Sequence, residues 1–145
     1  MIDFLVMTAD HVEQVAQLEQ ACFADPWSER SISSEITNPL SLWIVACDGD
    51  AVVGYVGSQS VVGEADMMNL AVSAQYRRQS IAQRLVTALE EKLSAFGVRS
   101  LTLEVRDSNV PAIALYNKLG YVQVGRRPNY YHNPKEDALI LRKEW

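Results

Sequence analysis

Gln75-Tyr76-Arg77-Arg78-Gln79-Ser80-Ile81-Ala82 is the stretch on which the fold turns. Ahead of it, Met67-Met68-Asn69-Leu70-Ala71-Val72 reads as the end of a strand. After it, Ile81, Leu85, Leu89, Leu93 and Phe96 recur at helical spacing and put one apolar face on a long helix. A strand therefore runs through a basic turn into a helix N-terminus. The first turn of a helix leaves main-chain N–H groups without partners, beside the positive end of the helix dipole. With two arginines alongside, such a turn suits a phosphate or pyrophosphate. Taken alone, it also reads as an ordinary helix start with Ser80 as N-cap and both arginines solvated.

Upstream, Ile2–Met7 forms a short apolar strand, and Thr8 opens an amphipathic helix marked by Val12, Val15, Ala16, Leu18 and Cys22. Ala24-Asp25-Pro26-Trp27 breaks it, and Ser28-Glu29 starts a second, short helix that ends before Asn38-Pro39. Leu42–Cys47 and Ala51–Val62 are strands joined by the tight turn Asp48-Gly49-Asp50. Gly54 and Gly57 inside the second of these imply a bulge or a close backbone approach, and Gly63 turns the chain into a strand over 64–72. Downstream, Gly97 ends the long helix. Leu101, Leu103 and Val105 then alternate with Thr102, Glu104 and Arg106, which puts Glu104 on the face opposite the three apolar residues. Asp107-Ser108-Asn109 caps a further helix, with Pro111 in its first turn and Gly120 after its end. A last antiparallel pair, 121–124 and 138–141, flanks a polar excursion over 126–135. The pattern predicts one α/β domain, residues 1–145, on a mixed sheet.

The 145 residues suffice for one core, and 48% apolar with 21% charged residues is ordinary for a globular domain. A net charge of −5 argues against nucleic acid and anionic membrane as partners and leaves room for a basic peptide. Cys22 and Cys47 are isolated, so buried free thiols in a reducing compartment are expected. No apolar run nears the roughly 20 residues of a membrane span, and no signal-peptide pattern opens the chain. A cytoplasmic location follows. His11 and His132 stand too far from other ligating residues to suggest a metal.

Arg77-Arg78-Gln79-Ser80-Ile81-Ala82 resembles the Arg/Gln-x-x-Gly-x-Gly/Ala pyrophosphate loop of the GCN5-related N-acetyltransferases, the GNAT superfamily, with Ser80 where that pattern has glycine. Further segments look like the bacterial RimI-type group of that superfamily: Phe23–Ser28, Asn69–Val72, Leu103–Asn109, Ala112–Tyr116, Leu119-Gly120-Tyr121 and Asn129-Tyr130-Tyr131. The resemblance covers nearly the whole chain. It implies a mixed, largely antiparallel sheet of about seven strands, splayed in the middle and flanked by about four helices. It also implies acetyl-CoA as co-substrate, and acetylation of the N-terminal alanine of ribosomal protein S18; a monomer without a metal is expected. Other protein N-termini, small amines, or acyl-CoA binding without turnover remain alternatives.

The chemistry explains why these residues matter. An α-amine with a pKa near ~8 must lose a proton before it attacks a thioester. A carboxylate can take that proton, better if burial raises its pKa. By resemblance Glu104 is this base, the alternative being an ion-paired strand glutamate. A tyrosine can protonate the departing thiolate, and Tyr116 occupies that position by resemblance, the alternative being a core tyrosine. By the same resemblance, main-chain groups of Leu70, Ala71 and Val72 are expected to pair with the pantetheine arm like an added strand and to hold the thioester carbonyl. Arg77, Arg78, Gln79, Ser80, Ile81, Ala82 and Gln83 enclose the pyrophosphate, and Asn109 contacts the cofactor, caps its helix, or both. Serine in place of glycine at position 80 can still cap the helix or offer its hydroxyl to a phosphate oxygen, so the site is expected to survive, with weaker acetyl-CoA affinity as the cost to be tested. Trp27, Tyr130 and Tyr131 are placed around the acceptor peptide, with Trp27 alternatively a packing plug.

Overall fold

Alternating apolar residues build the sheet, and one defect in it makes the site. The computed structural model describes residues Met1–Trp145. Strands β1 (Ile2–Val6), β2 (Ser41–Asp48), β3 (Ala51–Val61), β4 (Glu64–Val72), β5 (Ser100–Arg106), β6 (Val122–Tyr131) and β7 (Glu136–Glu144) form one 7-stranded sheet in the order β1-β2-β3-β4-β5-β7-β6. Helices α1 (Val12–Cys22), α2 (Glu29–Glu35), α3 (Ile81–Ala95) and α4 (Val110–Lys118) connect them, with short 3₁₀ turns at Ala9–His11 and Ala74–Tyr76. No helix is long and apolar enough to cross a membrane.

Neighbouring strands are antiparallel except β4 and β5, which run parallel and pair only at Glu64↔Ser100, Ala65↔Leu101 and Asp66↔Thr102. Beyond Asp66, β4 carries a bulge: Ser58 of β3 faces Met67 and Gly57 faces Asn69, so Met68 is the extra residue. An inserted residue bends its strand and sharpens the twist. Two long strands therefore part after three pairs, and each keeps a main-chain edge without a ladder partner. Gly57 makes the defect possible on the β3 side. A Cβ there would lie 2.4 Å from the Trp43 ring, so the glycine sits at the expected bulge, and what comes close to it is a side-chain ring rather than another backbone.

The sheet separates two cores. On one face α3 and α4 bury Ile81, Leu85, Val86, Leu89, Leu93 and Tyr116 against Ile44, Val56, Leu101, Leu103, Val105 and Leu141. On the other, α1 and α2 bury Val12, Val15, Ala16 and Ile32 against Trp43, Val45, Val52, Tyr55 and Ala71. Cys47 is buried as expected, whereas Cys22 is only half-buried.

Two expectations need correction. Residues 126–131 belong to β6 rather than to a loop. They are polar because β6 is the sheet edge, and polar partners hold them. Arg126 bridges Asp107 and Asp137 at 2.9 Å each, and Asn129, at φ 55°, donates its N–H to Asp137. Breaks in the β6–β7 register at Gln123/Gly125 and Arg127/Tyr131 accommodate these contacts. The second correction is Ser80, which does not cap α3 with its side chain and instead takes a left-handed conformation, φ 61° and ψ 22°.

Candidate active site

The left-handed Ser80 occupies the geometry for which glycine is normally used, and Arg78 does the same at φ 66°. The turn thus keeps the path of a glycine-containing loop without the glycine. Its helix starts cleanly: Arg84 N–H bonds Ser80 C=O at 3.0 Å, and the N–H groups of Ile81, Ala82 and Gln83 have no main-chain acceptor. The side chain of Ile81 is core, so its backbone alone faces the turn. Arg77, Arg78, Gln79 and Ser80 are exposed. Gln83 accepts from Lys118 Nζ at 3.3 Å across the gap between α3 and α4. Lys118 escaped the reading of the sequence, because no periodicity or motif brings the end of α4 beside the start of α3.

The open edge of β4, from Met67 to Val72, leads from this turn to the splay. Leu70 and Val72 are half-buried and Ala71 is buried, so their side chains anchor the strand while the main-chain edge toward β5 stays unpaired. Free amides along such an edge can pair with an extended amide-containing chain. Asn109 accepts from Ala112 N at 3.3 Å and caps α4. It lies at the exposed end of the same gap, compatible with both roles expected of it.

Glu104 and Tyr116 reach the splay from opposite faces of the sheet. Tyr116 packs with Leu103 and Val105 on the α3–α4 side, edge-on to Tyr121 at 5.6 Å, and its hydroxyl lies 3.6 Å from Met67 Sδ of β4. Burial, with the neighbouring Tyr131 phenol adding to it, pushes the Tyr116 phenol up to about 12. Glu104 points to the other face. Its side chain is 27% exposed and Arg127 Nε stands 3.4 Å from Oε1. It is half-buried and ion-paired rather than enclosed. Across from it on β4, burial and then the Glu104 charge raise the Asp66 carboxyl above the usual range.

Tyr130 and Tyr131 wall the same space. Their rings meet edge-on at 5.0 Å. The Glu104 carboxylate, facing the Tyr130 hydroxyl, raises its phenol above the usual range. The Tyr131 phenol is pushed up to about 12 by burial and then by the Glu104 charge. Tyr131 is therefore near both Glu104 and Tyr116. The Arg106 guanidinium lies 4.4 Å over the Tyr131 ring while holding the carbonyls of His132 and Pro134, which fixes the hairpin end. Trp27 packs edge-on against Trp43 at 5.5 Å and is half-buried, so packing is part of its role. Its N–H donates to Glu19, whose other oxygen accepts from Asn69 of β4. A carboxylate on one face, a neutral phenol on the other and an open strand edge between them can together deprotonate an amine and protonate a leaving group.

The comparisons with known proteins agree with this geometry. The model of the acetyltransferase (GNAT) family matches residues 12–121. The chain is 35% identical over 136 residues to the putative ribosomal protein bS18-alanine N-acetyltransferase of Bacillus subtilis (strain 168), covering 93% of this chain and 90% of that protein. It is 36% identical over 126 residues to the ribosomal protein bS18-alanine N-acetyltransferase of Escherichia coli (strain K12), covering 86% and 84%. The crystal structure of the ribosomal-protein-S18-alanine N-acetyltransferase from Escherichia coli superposes with a TM-score of 0.91 at 32% identity, over 99% of this chain and 94% of that one. Family match, sheet order and central splay lead to one statement: the chain belongs to the GNAT family of acetyltransferases.

Proposed function

We propose that residues 1–145 form a single-domain Nα-acetyltransferase that moves an acetyl group from acetyl-CoA to the N-terminal alanine of a ribosomal protein like bS18. The observation that carries this reading is the three-pair β4–β5 ladder, which opens beside Glu104 and Tyr116. Acetyl-CoA supplies the activated acyl group as a thioester. The free N–H groups of Ile81, Ala82 and Gln83, with Arg77, Arg78, Gln79 and Ser80, suit its pyrophosphate. The main-chain edge of Leu70, Ala71 and Val72 suits its pantetheine amides.

Glu104 takes the proton from the acceptor ammonium, directly or through a water, and frees the nitrogen lone pair. That nitrogen attacks the thioester carbon, and main-chain N–H groups of β4 receive the charge that develops on oxygen. As the carbon–sulfur bond breaks, Tyr116 gives its hydroxyl proton to the thiolate. The amide nitrogen sheds its second proton to solvent, Glu104 releases to solvent the proton it took, and Tyr116 is reprotonated from solvent. Trp27, Tyr130 and Tyr131 line the acceptor side. The net charge of −5 supports a basic peptide acceptor rather than nucleic acid, and the protein acts as a cytoplasmic monomer without a metal.

Incubation with acetyl-CoA and peptides differing in their first residue, read by mass spectrometry, tests the proposal. A mass gain on the α-amine of an alanine-starting basic peptide is expected. Acetylation of all N-termini alike points to a broader acetyltransferase, and acetyl-CoA binding without any transfer to a non-catalytic module. Either result overturns the alanine-specific assignment.

A further inference from the structure

Glu19 is fully buried at the last turn of α1, on the stripe otherwise occupied by Val12, Val15 and Ala16. No lysine, arginine or histidine pairs with it. Three neutral donors surround it instead. Oε1 accepts from the Tyr55 hydroxyl of β3 and from Asn69 Nδ2 of β4 at 2.6 Å, and Oε2 accepts from Trp27 N–H at 2.9 Å. A buried charge without a counter-ion is a costly way to fill an apolar position. Its partners indicate what the charge does. Trp27 belongs to the α1–α2 link on the acceptor side. Asn69 follows the extra residue Met68 on the open edge of β4 and immediately precedes Leu70–Val72.

We propose that Glu19 is a positioning residue for acetyl transfer: its buried carboxylate ties the acceptor-side link, through the Trp27 amide, to the β4 bulge, through Asn69. It thereby sets the spacing between the peptide wall and the strand that holds the thioester. This rests on the assignment of those two walls in the preceding reading. The aromatic column supports it, since Tyr55 stacks on Trp43 at 5.9 Å and Trp43 meets Trp27 at 5.5 Å. The third donor thus braces the carboxylate from beneath, from the β3 residue that pairs with Ala71.

Three variants separate positioning from mere stability. Glu19→Gln keeps the volume but offers one acceptor oxygen to three donors, so at least one arm loses its acceptor. Asn69→Ala cuts only the β4 arm. Tyr55→Phe removes the brace and leaves both arms. Melting temperature should fall in all three. Glu19→Gln should also raise the peptide KM and the exchange rate of the Trp27 amide, each by roughly tenfold, the worth of one charged hydrogen bond. Asn69→Ala should lower kcat by a similar factor with peptide KM within about twofold, while Tyr55→Phe keeps both constants. Lower melting temperatures with kinetic constants and Trp27 exchange near wild type would overturn the proposal. A wild type that acetylates no peptide defeats the acceptor assignment. Trp27 exchange in Glu19→Gln and acetyl-CoA calorimetry on Asn69→Ala then decide Glu19, and wild-type values in both overturn its role. Should Glu19→Gln fail to fold, the contrast between Asn69→Ala and Tyr55→Phe decides: equal kinetics in those two overturn the proposal.

Discussion

Glu104 and Tyr116 flank the same gap from opposite faces of one sheet: the carboxylate shares a face with Arg127 and Tyr130, and the phenol lies across it in the Leu103–Val105 core with its hydroxyl 3.6 Å from Met67 Sδ. A continuous sheet would keep two such groups apart. Here the ladder ends at Asp66↔Thr102, so an amine arriving on one face and a thiolate leaving on the other can belong to one reaction.

Glu104→Gln should therefore lose the base and little else. It keeps the shape and gives up only the half-exposed ion pair with Arg127. The expected outcome is a kcat/KM lower by roughly 10²–10⁴-fold at neutral pH, with acetyl-CoA binding by calorimetry unchanged. A variant with most of its activity would return Glu104 to the role of an ion-paired strand residue.

Tyr116→Phe should lower kcat more than it changes either KM, because the hydroxyl matters as the thiolate departs. The wild-type pH profile gives an independent check. A phenol pushed up to about 12 stays protonated, and so remains an acid, through pH 10. The rate should rise as the acceptor amine loses its proton near pH ~8 and then stay level, whereas an ordinary phenol would begin to fail near pH ~9. A fall between pH 9 and 10 in the wild type, absent from Tyr116→Phe, would contradict the raised value.

Position 80 allows opposite substitutions. Ser80→Gly relieves a left-handed residue and should bind acetyl-CoA at least as tightly as wild type. Ser80→Val puts a β-branched side chain where that conformation costs about 1–2 kcal/mol, and should weaken acetyl-CoA binding and lower the melting temperature. Calorimetry and thermal unfolding of the pair check both directions.

Asp137 holds the Tyr130–Tyr131 end of β6 through Asn129 N–H and Arg126. Those donors depress its carboxyl, and Ser108 and Arg106 depress Glu136 likewise. A lowered carboxylate stabilises the fold above its ordinary value, and that contribution is lost as the pH falls through the lowered one. Protection of the Asn129 amide should hold at pH 5 and decline below about pH 4. Asp137→Asn should raise the peptide KM by roughly a few-fold with kcat nearly kept, as expected for losing an exposed charge pair.

Gly57→Ala tests the bulge. The new methyl would meet the Trp43 ring at 2.4 Å. Overpacking of this kind costs about 1–3 kcal/mol, and here it also presses on the strand opposite Met68. Lower stability in urea together with weaker acetyl-CoA binding is expected, and unchanged binding would mean that the splay survives without the glycine.

Local physics made much of this protein legible in its sequence. Period two placed Glu104 opposite Leu103 and Val105, and the 3.6-residue repeat defined α3 and the face of α4 that carries Tyr116. Glycines at 49, 63, 97 and 120 punctuated the elements, all with positive φ. One available signal went unread: Val12, Val15, Ala16 and Glu19 fall at i, i+3, i+4 and i+7, so helical spacing alone put a carboxylate on the buried stripe.

The remainder depended on partners distant in the chain. Nothing local distinguishes the polar residues 126–131 from a loop, because Asp107 and Asp137 are what hold Arg126 and Asn129 in the strand. Nothing local predicts a left-handed Ser80, or that Arg127 meets Glu104. By itself, the sequence determined the elements, their faces and the family, since periodicity and turn chemistry are properties of neighbours. Tertiary structure alone decided where β4 parts from β5, and therefore which groups share the gap. The length of a strand ladder is set by packing on both sides of it, here by Trp43 over Gly57 and the bulge at Met68.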